Sequence, residues 1–316
     1  MIVKDRKVPV RILQLEALLR RLSVHHKKRG EIESDLAKRW AGYRGELSVD
    51  FHLNHLDDNY LIFLDVNLYY KNIHFQIDSL ILTEAFALIL EIKNIAGTLF
   101  FDSSFHQLIR KIHEKEEGFS DPILQAQRHQ YLLSNWLHQN NYSNLPIRHL
   151  VVISNPSTII TAEKGDKHVH KVVCHASHLM NKLQQIKIDI PTPLLSSEHF
   201  QLLSEIILRE QKAPSTNILD SYKISTTDIE MGVICPECSM KPMKRTHGRW
   251  VCPECNHQSK CAHEKTIEDY FLLIDNEINN QSFRKFTKIS SRHTASRLLK
   301  KMYNPLSRPD LFNKKT

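Results

Sequence analysis

The spacing of hydrophobic positions changes several times along the chain, and each change predicts a different element. From Ile12 to Leu22, apolar residues recur every three or four positions among Arg11, Glu16, Arg20 and Arg21, which predicts an amphipathic helix. A His/Lys/Gly break at His25 to Gly30 follows. Leu36, Trp40, Tyr43 and Leu47 then repeat the helical spacing and predict a second helix over about Ile32 to Leu47. The period next shortens: Tyr60 to Tyr69, Ile73 to Leu82, Phe86 to Lys93 and Thr98 to Phe101 predict strands. Asp121-Pro122 opens a helix to about His138, with Leu124, Tyr131, Leu132, Trp136 and Leu137 available for its buried side. Arg148 to Ser154, with Leu150-Val-Val-Ile153, predicts a buried strand, and His168 to Cys174 a weaker one. Helices bracketing antiparallel strands and a further strand give an α/β class.

Past about residue 210 the pattern fades. Residues 211–231 have little apolar periodicity, include Ala-Pro-Ser-Thr-Asn, and predict a linker. Residues 232–260 hold Cys235-Pro-Glu-Cys238 and Cys252-Pro-Glu-Cys255. Two tight thiolate pairs at this separation suit a tetrahedral four-cysteine zinc site closed by a β-hairpin, a zinc ribbon with a structural Zn2+. Redox use would need one reactive pair, and two matched pairs argue against it. Cys174 reads as a small buried hydrophobe. Residues 262–316 return to helical spacing. The stretch around Thr266 to Asn276 is a supporting helix, Ser282 to Ser291 a short one, and Ser291 to Met302 a third with Ala295, Leu298, Leu299 and Met302 on one stripe. This resembles a helix-turn-helix, whose exposed face would carry Arg292, His293, Ser296, Arg297, Lys300 and Lys301 to DNA. A solvated basic helix is the plainer alternative, and no turn glycine is present.

Composition sharpens this division. The chain has 316 residues, 41% of them hydrophobic and 25% charged, which suits a soluble protein with a real core. Its net charge of +8 is concentrated beyond Gln281, where ten Lys or Arg face one acid. A local basic block points to a nucleic-acid partner. No apolar run has the length of a membrane span and the first helix is no signal segment, so no membrane partner and a cytoplasmic location are expected.

The chemistry-bearing stretch is Gln76-Ile-Asp78-Ser-Leu-Ile-Leu-Thr83 followed by Phe86-Ala-Leu-Ile-Leu-Glu91-Ile-Lys93. If Glu84-Ala85 centres a hairpin, Thr83 pairs with Phe86 and Asp78 with Glu91. Lys93 shares the Glu91 face because strand side chains alternate. Two carboxylates and an ammonium at one point suit Mg2+ or Mn2+ and phosphoryl chemistry. An ordinary surface hairpin with a Glu/Lys pattern is the alternative.

Gly42-Tyr-Arg-Gly45-Glu46, Gln76-Ile-Asp78-Ser-Leu-Ile-Leu, Leu90-Glu91-Ile-Lys93-Asn94-Ile-Ala-Gly97 and Asp121-Pro-Ile-Leu-Gln125 resemble, in order, the motifs of the nuclease-related domain (NERD). That family is similar to the PD-(D/E)xK restriction-endonuclease-like superfamily. The resemblance covers about residues 31–155, with Ile77 where the superfamily has proline. It implies a restriction-endonuclease-like mixed sheet flanked by helices within residues 1–210. It also implies Asp78 and Glu91 as ligands of Mg2+ or Mn2+, joined by the Ile92 carbonyl, Lys93 as the catalytic lysine, and Glu46 and Gln125 as further active-site groups. Gly45 could equally end a helix, and Gln125 could be a plain first-turn residue. The expectation is a metal-dependent DNA nuclease, compatible with a homodimer. The alternatives are a non-catalytic DNA-binding scaffold and an RNA-processing nuclease.

Overall fold

The computed structural model describes residues 1–214 and 217–302. In chain order, strand β1 (Ile2–Lys4) precedes helices α1 (Val10–Arg21) and α2 (Arg29–Leu53). Strands β2 (Leu61–Tyr70), β3 (Ile73–Leu82), β4 (Ala87–Lys93), β5 (Thr98–Asp102), β6 (Gln107–Ile112) and β7 (Lys115–Ser120) lead to helix α3 (Pro122–Gln139). Next come β8 (Ile147–Ile153), β9 (Ile159–Ala162), the short helix α4 (Lys167–Val172) and β10 (Val173–His175). Helices α5 (Leu179–Asp189), α6 (Ser197–Arg209) and α7 (Ile218–Tyr222) precede strands β11 (Lys244–Thr246), β12 (Arg249–Val251) and β13 (Gln258–Ser259). Helices α8 (Ala262–Leu273), α9 (Asn280–Thr287) and α10 (Arg292–Met302) follow. The chain divides into two compact units, Met1–Val8 with Arg39–Ser215, and Pro9–Lys38 with Thr216–Thr316.

The first unit is built on a six-stranded sheet ordered β1-β2-β3-β4-β8-β10. Strands β2, β3 and β4 run antiparallel in succession, whereas β4, β8 and β10 are parallel, so the sheet is mixed. Strand β4 is apolar without alternation, Ala-Leu-Ile-Leu before Glu91, because both of its faces are covered. One face packs against Leu132, Leu133 and Trp136 of α3 and Phe200 and Leu203 of α6. The other packs against Val49 and Leu53 of α2 and Leu179 and Leu183 of α5. Each fully buried side chain of this kind contributes roughly 1.5–3 kcal/mol.

Alternation breaks at one place on two strands at once. Leu61 and Phe63 lie on the α3 face with Val66 and Leu68, and Phe75 and Ile77 lie there with Leu80 and Leu82. The flanking pairs Leu64↔Ser79 and Val66↔Ile77 stay in register, so both strands change phase at Asp65 and Asp78. Asp65 takes φ 56° there, a left-handed conformation that Asp tolerates better than most residues.

Several expectations are corrected. A second, four-stranded sheet, β7-β6-β5-β9, contains three strands that the hydrophobic pattern missed, β6, β7 and β9. Strand β7 (Lys-Glu-Glu-Gly-Phe-Ser) is exposed along almost its whole length and has no apolar face to betray it. The strand expected over His168 to Cys174 is mostly helix α4, because the Asp166 carboxylate caps it, accepting from the N–H of His168 and Val169 at 2.9 and 3.0 Å. Only Val173–His175 remains as strand. On α3, Leu124 and Tyr131 face outward, and on α2 Leu47 is exposed while Ile32, Val49 and Leu53 are buried. The segment expected as a linker carries α7, and Ile218, Leu219, Tyr222, Ile224 and Ile229 are buried within it.

The second unit has its own core of α1, α7, α8, α9 and α10 side chains around Trp250. Arg21 and Asp269, both with fully buried side chains, bond at 2.9 Å, and the Arg21 guanidinium lies 4.7 Å from the Phe286 ring centroid. Breaking such a pair would leave a buried charge uncompensated. Helix α9 ends at Lys288 in a left-handed conformation (φ 57°), filling the place a turn glycine would take. The Ser291 hydroxyl accepts from the Thr294 N–H at 3.2 Å and so caps α10. Basic residues Arg308, Lys314 and Lys315 lie outside the described residues, as does the Met302 side chain.

Candidate active site and metal centre

The register of β3 with β4 runs from Ser79↔Leu90 to Leu82↔Ala87, the alignment that the hairpin count gives. Glu84-Ala85 turns without glycine because Thr83 supplies the turn chemistry. Its hydroxyl accepts from the N–H of Ala85 and Phe86 at 3.2 and 2.9 Å. At the other end the backbone ladder stops and a side chain takes over: Asp78 Oδ2 accepts the Ile92 N–H at 2.8 Å. Asp78 therefore stands beside Glu91 at the place where β3 and β4 part.

Around this point the side chains fall into two groups. On the α3 side, Lys93 Nζ donates to Glu91 Oε1 at 2.7 Å and to Gln125 Oε1 at 3.1 Å, bridging strand and helix. Glu91 is 1% exposed, and its Oε2 accepts no hydrogen bond among the described residues. His129 Nδ1, one turn beyond Gln125, stands 3.4 Å from that oxygen, an ion pair when the ring is protonated. On the α2 side, Arg6 is held at 2% side-chain exposure by Glu46 at 2.6 Å and Asp50 at 2.7 Å. Its Nη2 also donates to the Asp78 carbonyl at 2.8 Å and to Ser79 Oγ at 3.0 Å.

Gly45 explains how α2 comes so near. It lies inside the helix rather than at its end, and a Cβ there would sit 2.4 Å from Asn94 Cβ and 2.7 Å from Ser154 Oγ. Asn94 Nδ2 in turn donates to the Ala41 carbonyl at 2.7 Å. Only glycine allows this approach, which brings Glu46 to the ends of β3 and β4.

The electrostatics reflect crowding of like charge. Burial, then the charges of Glu91 and Glu46, push the Asp78 carboxyl well above the usual carboxylate range, against the Ile92 hydrogen bond and Lys93. Burial also raises Glu46, with Arg6 opposing and Asp65, Asp50 and Glu91 reinforcing. Beside the acids, His74, Phe75, Gln76, Asp78, Gln125, Arg128 and His129 line a cleft of about 210 Å3.

These observations test the site against a divalent cation. A buried Glu91 oxygen without a donor, and an Asp78 carboxyl raised by burial and then by neighbouring like charge, are what a cation would relieve. Asp78 and Glu91 are the hard oxygen donors that could meet such an ion.

The four cysteines form a different centre. The Sγ atoms of Cys235, Cys238, Cys252 and Cys255 lie within 4.8 Å of one another, the only such group of three or more metal-ligating side chains among the described residues. Cys235 and Cys255 are 3.6 Å apart, and Cys238 and Cys252 3.5 Å, near the edge of about 3.8 Å expected for a tetrahedron with Zn–S of about 2.3 Å. The two knuckles match: Ser239 N–H donates to the Cys235 carbonyl and Asn256 N–H to the Cys252 carbonyl, at 3.0 and 3.1 Å. Cys235 N–H donates to the Met240 carbonyl, and Cys252 N–H to the His257 carbonyl, at 2.8 and 2.9 Å. With the three-stranded sheet β11-β12-β13, the cluster is compatible with a zinc ribbon. Cys261 and His263 stand outside it; His263 Nδ1 accepts instead from the Trp250 indole N–H at 3.2 Å.

On α10, Arg292, His293, Arg297, Lys300 and Lys301 are exposed. Ser296 is half-buried, its hydroxyl taken by Asn280 Nδ2 at 2.9 Å, so it braces α9 against α10. Sequence reasoning missed Arg6, Asp50 and His129. Asp50 and His129 each lie four residues beyond a chosen residue on the same helix, Glu46 and Gln125, and that spacing could have found them.

The first unit is thus an α/β fold, a mixed sheet between helices with an acid pair and a lysine where two strands part. Residues 41–154 match the family model of the nuclease-related domain. The match contains Glu46, Asp78, Glu91, Lys93 and Gln125 but not Arg6. No curated protein and no solved structure matches the chain. No helix among the described residues is long and apolar enough to cross a membrane.

Proposed function

We propose that the chain is a metal-dependent nuclease that hydrolyses phosphodiester bonds in DNA. The observation that carries this reading is the meeting of Asp78, Glu91 and Lys93 at the open end of the β3–β4 ladder, with Gln125 reaching Lys93 from α3. Asp78 and Glu91 would hold Mg2+ or Mn2+, which when bound lowers the pKa of water and neutralises phosphate charge. Lys93 keeps an ammonium beside Glu91 and can orient water or stabilise charge developing on the phosphate. Gln125 fixes the direction of that ammonium. Glu46, held by Arg6, adds negative charge behind the ligands. The four-cysteine cluster would hold Zn2+ as a structural ion, since four thiolates leave no ligand position for substrate. Helices α9 and α10 would act as a helix-turn-helix delivering Arg292, His293, Arg297, Lys300 and Lys301 to DNA, with Ser296 as brace. A homodimer would bring two centres to two strands.

A cleavage assay with Mg2+ or Mn2+ tests the reading on the parent, Asp78→Ala and Glu91→Ala. The parent should cut DNA only with the cation, and both variants should lose at least two orders of magnitude, about the loss from deleting one key transition-state donor. No cation-dependent cleavage of any DNA form, or equal cleavage by the variants, refutes it. Preference for RNA in competition at fixed salt would move the substrate to RNA.

A further inference from the structure

The second unit contains a cationic notch between the ribbon and the N-terminal turn of α10. Pro242, Met243, Lys244 and Arg245 of the ribbon and Lys288, Ser290 and Ser291 of the α9–α10 turn are among the residues lining a cavity of about 270 Å3. No acidic side chain among the described residues lines it. Arg245 is its least satisfied member. The guanidinium stacks 5.0 Å from the Trp250 ring centroid, which fixes its plane, while Nε and Nη1 are buried and donate to no acceptor among the described residues. A buried donor without a partner is costly, and two on one guanidinium more so. Burial, then the charge of Arg297, lowers the Arg245 pKa, so its surroundings disfavour the charge that it carries. Lys288, at the left-handed turn position, adds a second cation. A planar fork with unused donors, flanked by two lysines and hydroxyls, is complementary to a tetrahedral oxyanion.

We propose that this notch binds one backbone phosphate of duplex DNA, making the ribbon hairpin a second DNA contact alongside α10. The inference rests on the reading that the second unit engages DNA, and it adds a role for the ribbon beyond bracing. Arg245 and Lys288 take oxygens of the same phosphate, and the contact positions the duplex without reading its sequence.

The test is the salt dependence of binding, because the slope of log K against log salt counts neutralised phosphates at about 0.9 each on B-form DNA. The full chain, loaded with zinc, is titrated by fluorescence anisotropy against two duplexes of unrelated sequence. The variants are Arg245→Gln, Lys288→Asn, the double variant, and Lys260→Gln as an exposed ribbon lysine outside the notch. Asn suits the left-handed position of Lys288, and zinc content with the circular dichroism spectrum checks folding. Arg245→Gln should weaken binding about tenfold on both duplexes. The double variant should lose about one slope increment in total, and Lys260→Gln should lose none. Unchanged slopes, a loss of about two increments in the double variant, or an equal loss in Lys260→Gln would each overturn the shared-phosphate notch while leaving DNA binding intact. Failure of the parent to bind duplex DNA at low salt would instead remove the DNA reading itself.

Discussion

Replacing Arg6 by glutamine tests whether the acid cluster depends on a residue outside the stretch that matches the nuclease-related domain model. Arg6 is 2% exposed and holds two carboxylates, Glu46 and Asp50, whose side chains are 21% and 9% exposed. Removing one partner of a buried ion pair costs about 3–5 kcal/mol, mostly from the charge left behind. Glu46 can rehydrate in part and Asp50 hardly at all, so about 3 kcal/mol is the expected loss. For a unit of this size that is a fall of roughly 6–12 °C in the unfolding midpoint. The loss must depend on pH with a definite sign. Burial already raises the Glu46 carboxyl, and losing Arg6 removes the charge that opposes this, so its folded-state pKa lies above its unfolded one. The penalty is therefore full at neutral pH, shrinks as pH falls through the folded value, and is gone at about pH 3, below the unfolded one. Thermal unfolding followed by circular dichroism at both pH values, with Arg6→Gln/Asp50→Asn as a partial rescue, measures it. A loss below about 1 kcal/mol, one independent of pH, or no rescue would refute the reasoning.

Three further outcomes follow from the same geometry. Asp78→Asn should raise the unfolding midpoint near pH 7 without divalent ions. The raised Asp78 pKa means that ionisation costs stability as pH rises through it, and the gain should vanish in acid. The same variant should lose any stabilisation by Mn2+, which thermal shift against metal concentration reads directly. Gly45→Ala should cost roughly 1–3 kcal/mol and depress cleavage more than substrate binding, since the new methyl would meet Asn94 Cβ at 2.4 Å and push Glu46 away; a variant matching the parent in urea denaturation would contradict this. Cys252→Ser should abolish an otherwise equimolar zinc content and shift the emission of Trp250, 1% exposed in the ribbon, to longer wavelength.

Legibility in the sequence followed the physics of each element. The β3–β4 hairpin could be read because two apolar runs fix the register, and Asp78 and Glu91 follow by counting. The cysteine cluster could be read because its ligands come as two near-identical tetrapeptides. Strands β6 and β7 could not, since β7 is exposed along almost its whole length and β6 is half-buried at most positions, so neither shows a clear alternation. Histidines 168 and 170 went to the wrong element because a single capping Asp166 outweighed local strand propensity. Arg6 was invisible for another reason: it lies 72 residues from Asp78, delivered by the edge strand β1, and no local spacing encodes that meeting.

The place where pattern reading fails on β2 and β3 is also where the site forms. Regular alternation from Leu82 and Leu80 would carry the Ile77 side chain to the face opposite the one it occupies. The phase change at Asp65 and Asp78 instead keeps Ile77 in the α3-side core and leaves Asp78 free to take the Ile92 N–H. It is matched on both strands, so the ladder on either side stays in register and the cost is confined to Asp65. Lys4 and Asn67 Nδ2 both donate to the Asp65 carbonyl, and Asn67 also to its carboxylate, which supports the strained residue. A local irregularity held by side chains from β1 and β2 is thus what turns an ordinary buried hairpin into one that presents an acid at its open end.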